Sequence, residues 1–155
     1  MSVAKLIEFG VEKVILGPAG INPDWILEGN PVARNHLLSR SADGNASTWI
    51  WDCTAGKFNW YYDIDETVYL IEGSVTIKDH ATGKRQHVSA GDTVFFPTGS
   101  SAEWVVDTYV RKVAFLRSPL PRSVQFARRL WQSVKRIIGR GGGAKNPVPA
   151  MFESR

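Results

Sequence analysis

From residue 32 to residue 116 the chain is cut into short runs rich in Val, Ile, Thr and aromatic side chains, with a turn-forming cluster about every 8–12 residues. The breaks are Asp43-Gly44-Asn45, Glu72-Gly73, the stretch 79–83, Ala90-Gly91-Asp92 and the stretch 97–100. Between them the predicted strands span 48–52, 58–62, 67–71, 75–78, 85–88, 93–96, 103–106 and 110–116. β-Branched and aromatic residues suit a pleated, half-buried surface, and Gly, Asn and Asp suit tight turns. No helical period interrupts this stretch. Crossover helices and a parallel sheet are therefore not expected, and the pattern predicts an all-β sandwich or barrel.

The flanks read differently. Gly17-Pro18 and Asn22-Pro23 deny a long helix to the start of the chain. Residues 1–31 are expected to form an irregular arm that covers an open barrel edge, because exposed edges invite aggregation. Residues 117–138 hold a stiff connector, Pro119 and Pro121, and then a basic amphipathic helix predicted over 123–138 with Ser123 as N-cap. Its apolar stripe is Phe126, Leu130, Val134 and Ile137, and Arg128, Arg129, Lys135 and Arg136 occupy much of the rest. Gly139 stops it, and 139–155 reads as a flexible Gly-rich end. A short isolated helix is marginal in water, so the stripe is expected to bury against the barrel or a second subunit. Contact with an anionic membrane surface is the less favoured reading. No nucleic-acid contact is expected, since no reader motif is present and the body is acidic.

That acidity is hidden in the overall charge of +4. Residues 1–116 hold 10 Lys/Arg and 14 Asp/Glu, a balance of −4, and residues 117–155 hold 9 and 1, a balance of +8. The length of 155 residues fits one domain, with residues 32–116 as its barrel. Cys53 is the lone cysteine, which predicts a reducing compartment, and the start of the chain lacks a secretory pattern. The expectation is a cytoplasmic protein.

Glu66 is followed by six residues and Gly73, and Gly91 by five residues and Pro97-Thr98-Gly99. These resemble the two motifs of the RmlC-like cupins. Trp49-Ile50-Trp51-Asp52-Cys53, Gly56-Lys57-Phe58-Asn59-Trp60-Tyr61-Tyr62, Leu70-Ile71-Glu72-Gly73, Phe96-Pro97-Thr98-Gly99, Trp104 and Val110-Arg111-Lys112-Val113 are similar to the branch of (S)-ureidoglycine aminohydrolase. That branch also holds ethanolamine-utilisation cupins. The resemblance covers about residues 26–116 and implies a cupin jelly-roll β-barrel, with Gly73 and Gly91 at strand-ending turns. It also implies a homodimer, to which the arm and the tail stripe would add surface.

Cupins of the metal-binding kind offer two His separated by one residue, then Glu, then a third His. Here the matching positions are Trp60, Tyr62 and Ala102, and Glu66 alone remains. Indole, phenol and methyl groups do not suit a transition metal, so no metal or other cofactor is expected. Cys53, Tyr62 and Glu66, with or without His36, could still assemble a metal site, and that arrangement is not favoured. His80 and His87 lie elsewhere on the chain.

An aromatic box takes the place of the metal ligands. Strand alternation puts Phe58, Trp60 and Tyr62 on one face, flanking Glu66, and Trp104 enters from the second motif. Such a box suits a small organic ligand with a flat, apolar or cationic part. Glu66 then needs a cation, and Lys112 or Arg111 on the last strand can supply it. Trp60, Tyr62, Glu66, Trp104, Lys112 and Cys53 are the candidate ligand-binding residues, with Glu66 as the candidate catalytic group. Trp60 and Trp104 read equally well as core filling. Cys53 reads as a buried thiol rather than a nucleophile, because no His is spaced to activate it. Trp25, Trp49 and Trp51 read as packing.

Three functions are compatible with this pattern. The favoured one is binding of a small metabolite in the barrel without metal histidines. The second is acid–base chemistry on a small metabolite, similar to ureidoglycine aminohydrolase, with Glu66 as base. The third is an interaction protein whose barrel is merely packed.

Overall fold

Some of the breaks in the sequence end strands and others only bend them, and the difference determines the architecture. The computed structural model describes residues 10–119. It contains eight strands among those residues: β1 (Gly17–Ala19), β2 (Ile26–Gly29), β3 (Ala33–Arg40), β4 (Ala46–Tyr61), β5 (Asp65–Asp79), β6 (Arg85–Ser89), β7 (Thr93–Phe96) and β8 (Ser101–Arg117). All the pairings are antiparallel. Short 3-10 turns at Val11–Lys13 and Pro23–Trp25 complete the arm.

Three predicted strand pairs are each one long strand. Runs 48–52 and 58–62 fall in β4 apart from Tyr62, runs 67–71 and 75–78 in β5, and runs 103–106 and 110–116 in β8. The register shifts between Thr54 and Gly56 in β4, and between Gly73 and Thr76 in β5. A bulge bends a strand without ending it, so the chain turns a corner while the ladder continues. The first half of β4 pairs with β3 and the second half of β8; its second half pairs with β2 and the first half of β8. β5 divides likewise, with its first half beside β7 and its second beside β6. The outcome is two sheet halves, β1-β3-β4-β8-β5-β7 and β2-β4-β8-β5-β6, joined through three bent strands. This is an all-β jelly-roll barrel.

Gly73 therefore departs from its expected role. It sits inside β5 at a bulge, with φ of +72°, rather than at a strand-ending turn. Gly91 does end a strand, in the turn between β6 and β7. The arm contributes β1 to the free edge of β3, and β2 to β4.

The core lies between the halves. Trp51, Phe58, Tyr62, Val68, Leu70, Val75, Phe96, Trp104 and Val110 belong to one buried cluster. Inward positions are the even-numbered ones in the first half of β5 and along β8, Glu66, Val68 and Leu70 on one and Val110, Lys112 and Ala114 on the other; past the bulge β5 turns Val75 and Ile77 inward. Two charged residues thus occupy core positions. On the outer face Asp52 is also buried, held by Arg34 through Nε at 3.0 Å and an η nitrogen at 2.6 Å, and by the Tyr109 hydroxyl at 2.9 Å.

No helix among the described residues is long and apolar enough to cross a membrane. The predicted helix over 123–138 and the end at 139–155 lie outside the described residues.

Gly73 and Gly83 separate the two demands on a bulge glycine. Both have positive φ, but a Cβ at Gly73 would run into the Tyr109 carbonyl, whereas one at Gly83 meets nothing within 4 Å. Gly83→Ala should cost about 1–2 kcal/mol, the left-handed penalty alone. Gly73→Ala should cost at least about 2 kcal/mol more, through overpacking. Urea denaturation of both variants tests this, and equal losses would contradict the bulge assignment.

Candidate functional site

The alternation that fills the barrel with apolar side chains also points Glu66 and Lys112 into it. Glu66 lies between Phe96 of β7 and Leu116 of β8, and Lys112 between Trp51 of β4 and Leu70 of β5. The Lys112 ammonium donates to Oε1 of Glu66 at 2.7 Å, with side-chain exposures of 7% and 9%. The same nitrogen stands 4.9 Å from the ring centre of Trp51 and 4.8 Å from that of Trp104. Each charge alone would lose several kcal/mol of hydration on burial. Together, with two indole faces on the cation, they offset that loss.

Beneath the pair the barrel is packed. Tyr62 stacks on Phe96 with ring centres 4.2 Å apart, and the Trp104 indole N–H donates to the Tyr62 hydroxyl at 3.0 Å. Phe58 stacks on Trp104 at 6.2 Å. Burial, and then the nearby Glu66 charge, raise the Tyr62 pKa well above its ordinary value, so Tyr62 is a neutral phenol. The space left among Trp51, Phe58, Trp60, Trp104 and Lys112 is about 10 Å³, at the lower limit for one water.

Above the pair the barrel opens. A cavity of about 450 Å³ is walled by Trp49, Trp51 and Trp60, has Glu66 and Lys112 in its lining, and has Asn35 to one side. Ala19 and Gly20 of the arm contribute to the same lining. Trp25 packs edge-on against Trp60 at 5.6 Å and supports that wall from outside. A larger groove, about 720 Å³, shares Ser47 and Leu116 with the cavity lining and runs beside the exposed Phe95 and Phe115. Its charged residues are Arg40, Asp65 and Arg117; Asp65 and Arg117 are 3.6 Å apart and partly in water, so it lacks the buried polar pair that distinguishes the barrel mouth.

Of the sequence candidates, Trp60, Glu66 and Lys112 meet in the cavity lining. Tyr62 and Trp104 are buried in the packed interior instead. Cys53 is fully buried, and burial, followed by the Asp52 charge, pushes its thiol up to about 12. Arg111 is not the partner of Glu66; it donates to the Val11 carbonyl at 3.0 Å. His36 is exposed on β3. Trp49 and Trp51, read as packing, are walls of the cavity, and Asn35, which no sequence motif singles out, joins them. A signal was present, since Trp49, Trp51 and Cys53 share one face of β4. Only the pairing of Trp51 with Lys112 gives that face its meaning.

The residues present do not fit a metal. Trp60 and Ala102 pair across β4 and β8 where imidazoles would be needed, and Tyr62 is a neutral phenol turned toward Trp104. The cation beside Glu66 is the Lys112 ammonium. Among the described residues no group of three or more His, Cys, Asp and Glu side chains comes together.

A jelly-roll barrel with an inward glutamate on β5 and this motif order is a small RmlC-like cupin. Residues 40–114 match the EutQ-like cupin domain family, and this barrel is of the EutQ and DUF861 type. A DUF861-family protein of unknown function from Pseudomonas syringae pv. tomato is similar at 27% identity and a TM-score of 0.62. The match covers 68% of this chain and 45% of that one, so this chain spans under half of that relative. A Salmonella typhimurium structure carrying the name ethanolamine utilization protein Q is 25% identical, over 56% of this chain and 69% of that one, with a TM-score of 0.49. A DUF861-family protein from Thermotoga maritima is 40% identical over 42% of this chain and 73% of that one, with a TM-score of 0.40. No curated protein matches the chain.

If the pair is a coupled unit, its single and double replacements will not add. Glu66→Gln or Lys112→Met should each cost about 3–5 kcal/mol, because each leaves one buried charge alone. The combined Glu66→Gln/Lys112→Met variant should cost less than the two losses added together, by more than about 1 kcal/mol. Denaturant titrations measure all three, and additive losses would show that the two charges are not coupled.

Proposed function

We propose that this cupin binds a small organic metabolite in the aromatic mouth of its barrel, with the Glu66–Lys112 pair in place of a metal centre. The observation that carries this reading is the position of the pair. A buried carboxylate and ammonium lie where a packed interior gives way to a cavity of about 450 Å³. Recognition sites of that size combine apolar walls with a few placed polar groups. The three indoles supply flat walls, and the two charges supply one acceptor and one donor. Acid–base chemistry at Glu66 is a second reading. It is favoured by the adjacent ammonium, which could steady negative charge developing on a substrate as the carboxylate takes a proton.

A fragment screen read by the indole N–H resonances tests the binding reading. Hits should shift Trp49, Trp51 and Trp60 and leave Trp104, below the pair, less affected. Trp60→Ala should weaken them about tenfold, the order of one aromatic contact. If no fragment at millimolar concentration moves these signals, the mouth is packing surface and the reading fails.

A further inference from the structure

The charge arrangement of the cavity selects a ligand class. Its lining holds one carboxylate, Glu66, and one ammonium, Lys112, and its other residues are neutral. The two charges are 2.7 Å apart and nearly sealed from water. To a ligand arriving above them they present almost no net charge, so attraction to one is cancelled by repulsion from the other.

A charged ligand meets a further obstacle. A cation that took Glu66 would leave Lys112 alone between Trp51 and Trp104, whose faces it already occupies. An anion that took Lys112 would strand Glu66. Either exchange breaks a buried pair, and breaking such a pair is strongly unfavourable. A neutral ligand can instead add to the pair. Among the described residues only Oε1 of Glu66 takes a hydrogen bond, so Oε2 can accept one from a ligand N–H or O–H. The ammonium has protons beyond the one given to Glu66 and can donate to a ligand oxygen. The indole walls of Trp49, Trp51 and Trp60 favour a flat ring.

Resting on the binding function proposed above, we infer that the ligand is a neutral, planar aromatic or heteroaromatic molecule. It carries a hydrogen-bond donor and a carbonyl-type acceptor side by side, as in a carboxamide or a lactam. The donor sits on Glu66, the acceptor on Lys112, and the ring lies against the tryptophans.

Three probes of similar size and different charge test this: benzamide, benzoate and benzylamine, titrated at pH 7 against the full chain by indole-resonance shifts. Benzamide should bind at least tenfold more tightly than either ion. Glu66→Gln, which leaves the ammonium, should move the preference to benzoate, and Lys112→Met should move it to benzylamine. If a variant does not fold, the ranking on the natural chain decides alone. A natural chain that prefers benzoate or benzylamine, or binds all three equally, overturns the neutral-ligand inference but leaves the binding site standing. Failure of all three probes to move any wall indole overturns the inference together with the binding function.

Discussion

An ammonium group buried between two indole rings persists only with an anion beside it, and in this barrel the anion is Glu66. Much of the site follows from that requirement. β5 must bring Glu66 inward at the level where β8 brings Lys112, and β4 must place Trp51 opposite Lys112. The Trp104 ring is under the ammonium because its N–H is held by Tyr62, and Tyr62 is held by Phe96. The aromatic stack is thus a floor that supports a charge pair, and the cavity opens on the other side of the pair.

The same pair explains how a cupin barrel does without imidazoles. A glutamate at this position needs positive charge nearby. A lysine on the neighbouring long strand supplies it within the chain, and the positions facing it are released to aromatic and small residues. Trp60 against Ala102 is such an exchange, in which a large ring fits because its cross-strand neighbour is a methyl group. The positive charge is a side chain with directional donors, so the recognition proposed for the mouth would depend on hydrogen-bond geometry rather than on open coordination positions.

The fold class could be read because turn residues and β-forming residues alternate plainly from 32 to 116. What could not be read was which breaks bend a strand. Asp43-Gly44-Asn45 ends β3 and Gly73 does not end β5, yet both look like turns, because a bulge and a turn ask for the same left-handed backbone. At the site, Glu66 was legible from the motif spacing, but its cation could be Lys112 or Arg111, and only the inward phase of Lys112 with Val110 and Ala114 decides between them. Trp49 and Trp51 could not be told from packing, because their role depends on pairing with β8, some 60 residues away along the chain. Tyr62 and Trp104 have the same inward orientation as Trp60 but belong to the floor. Strand alternation gives the side a residue faces, and it leaves open whether that level of the barrel is filled.

Lys112 holds the cation position beside Glu66. A crystal structure of the full chain grown with excess manganese, with anomalous data collected, tests it most directly. Lys112 Nζ should lie about 2.7 Å from Oε1 of Glu66, against Trp51 and Trp104, with no anomalous peak at the carboxylate. A metal peak on Glu66, with Lys112 turned out of the barrel, would contradict it.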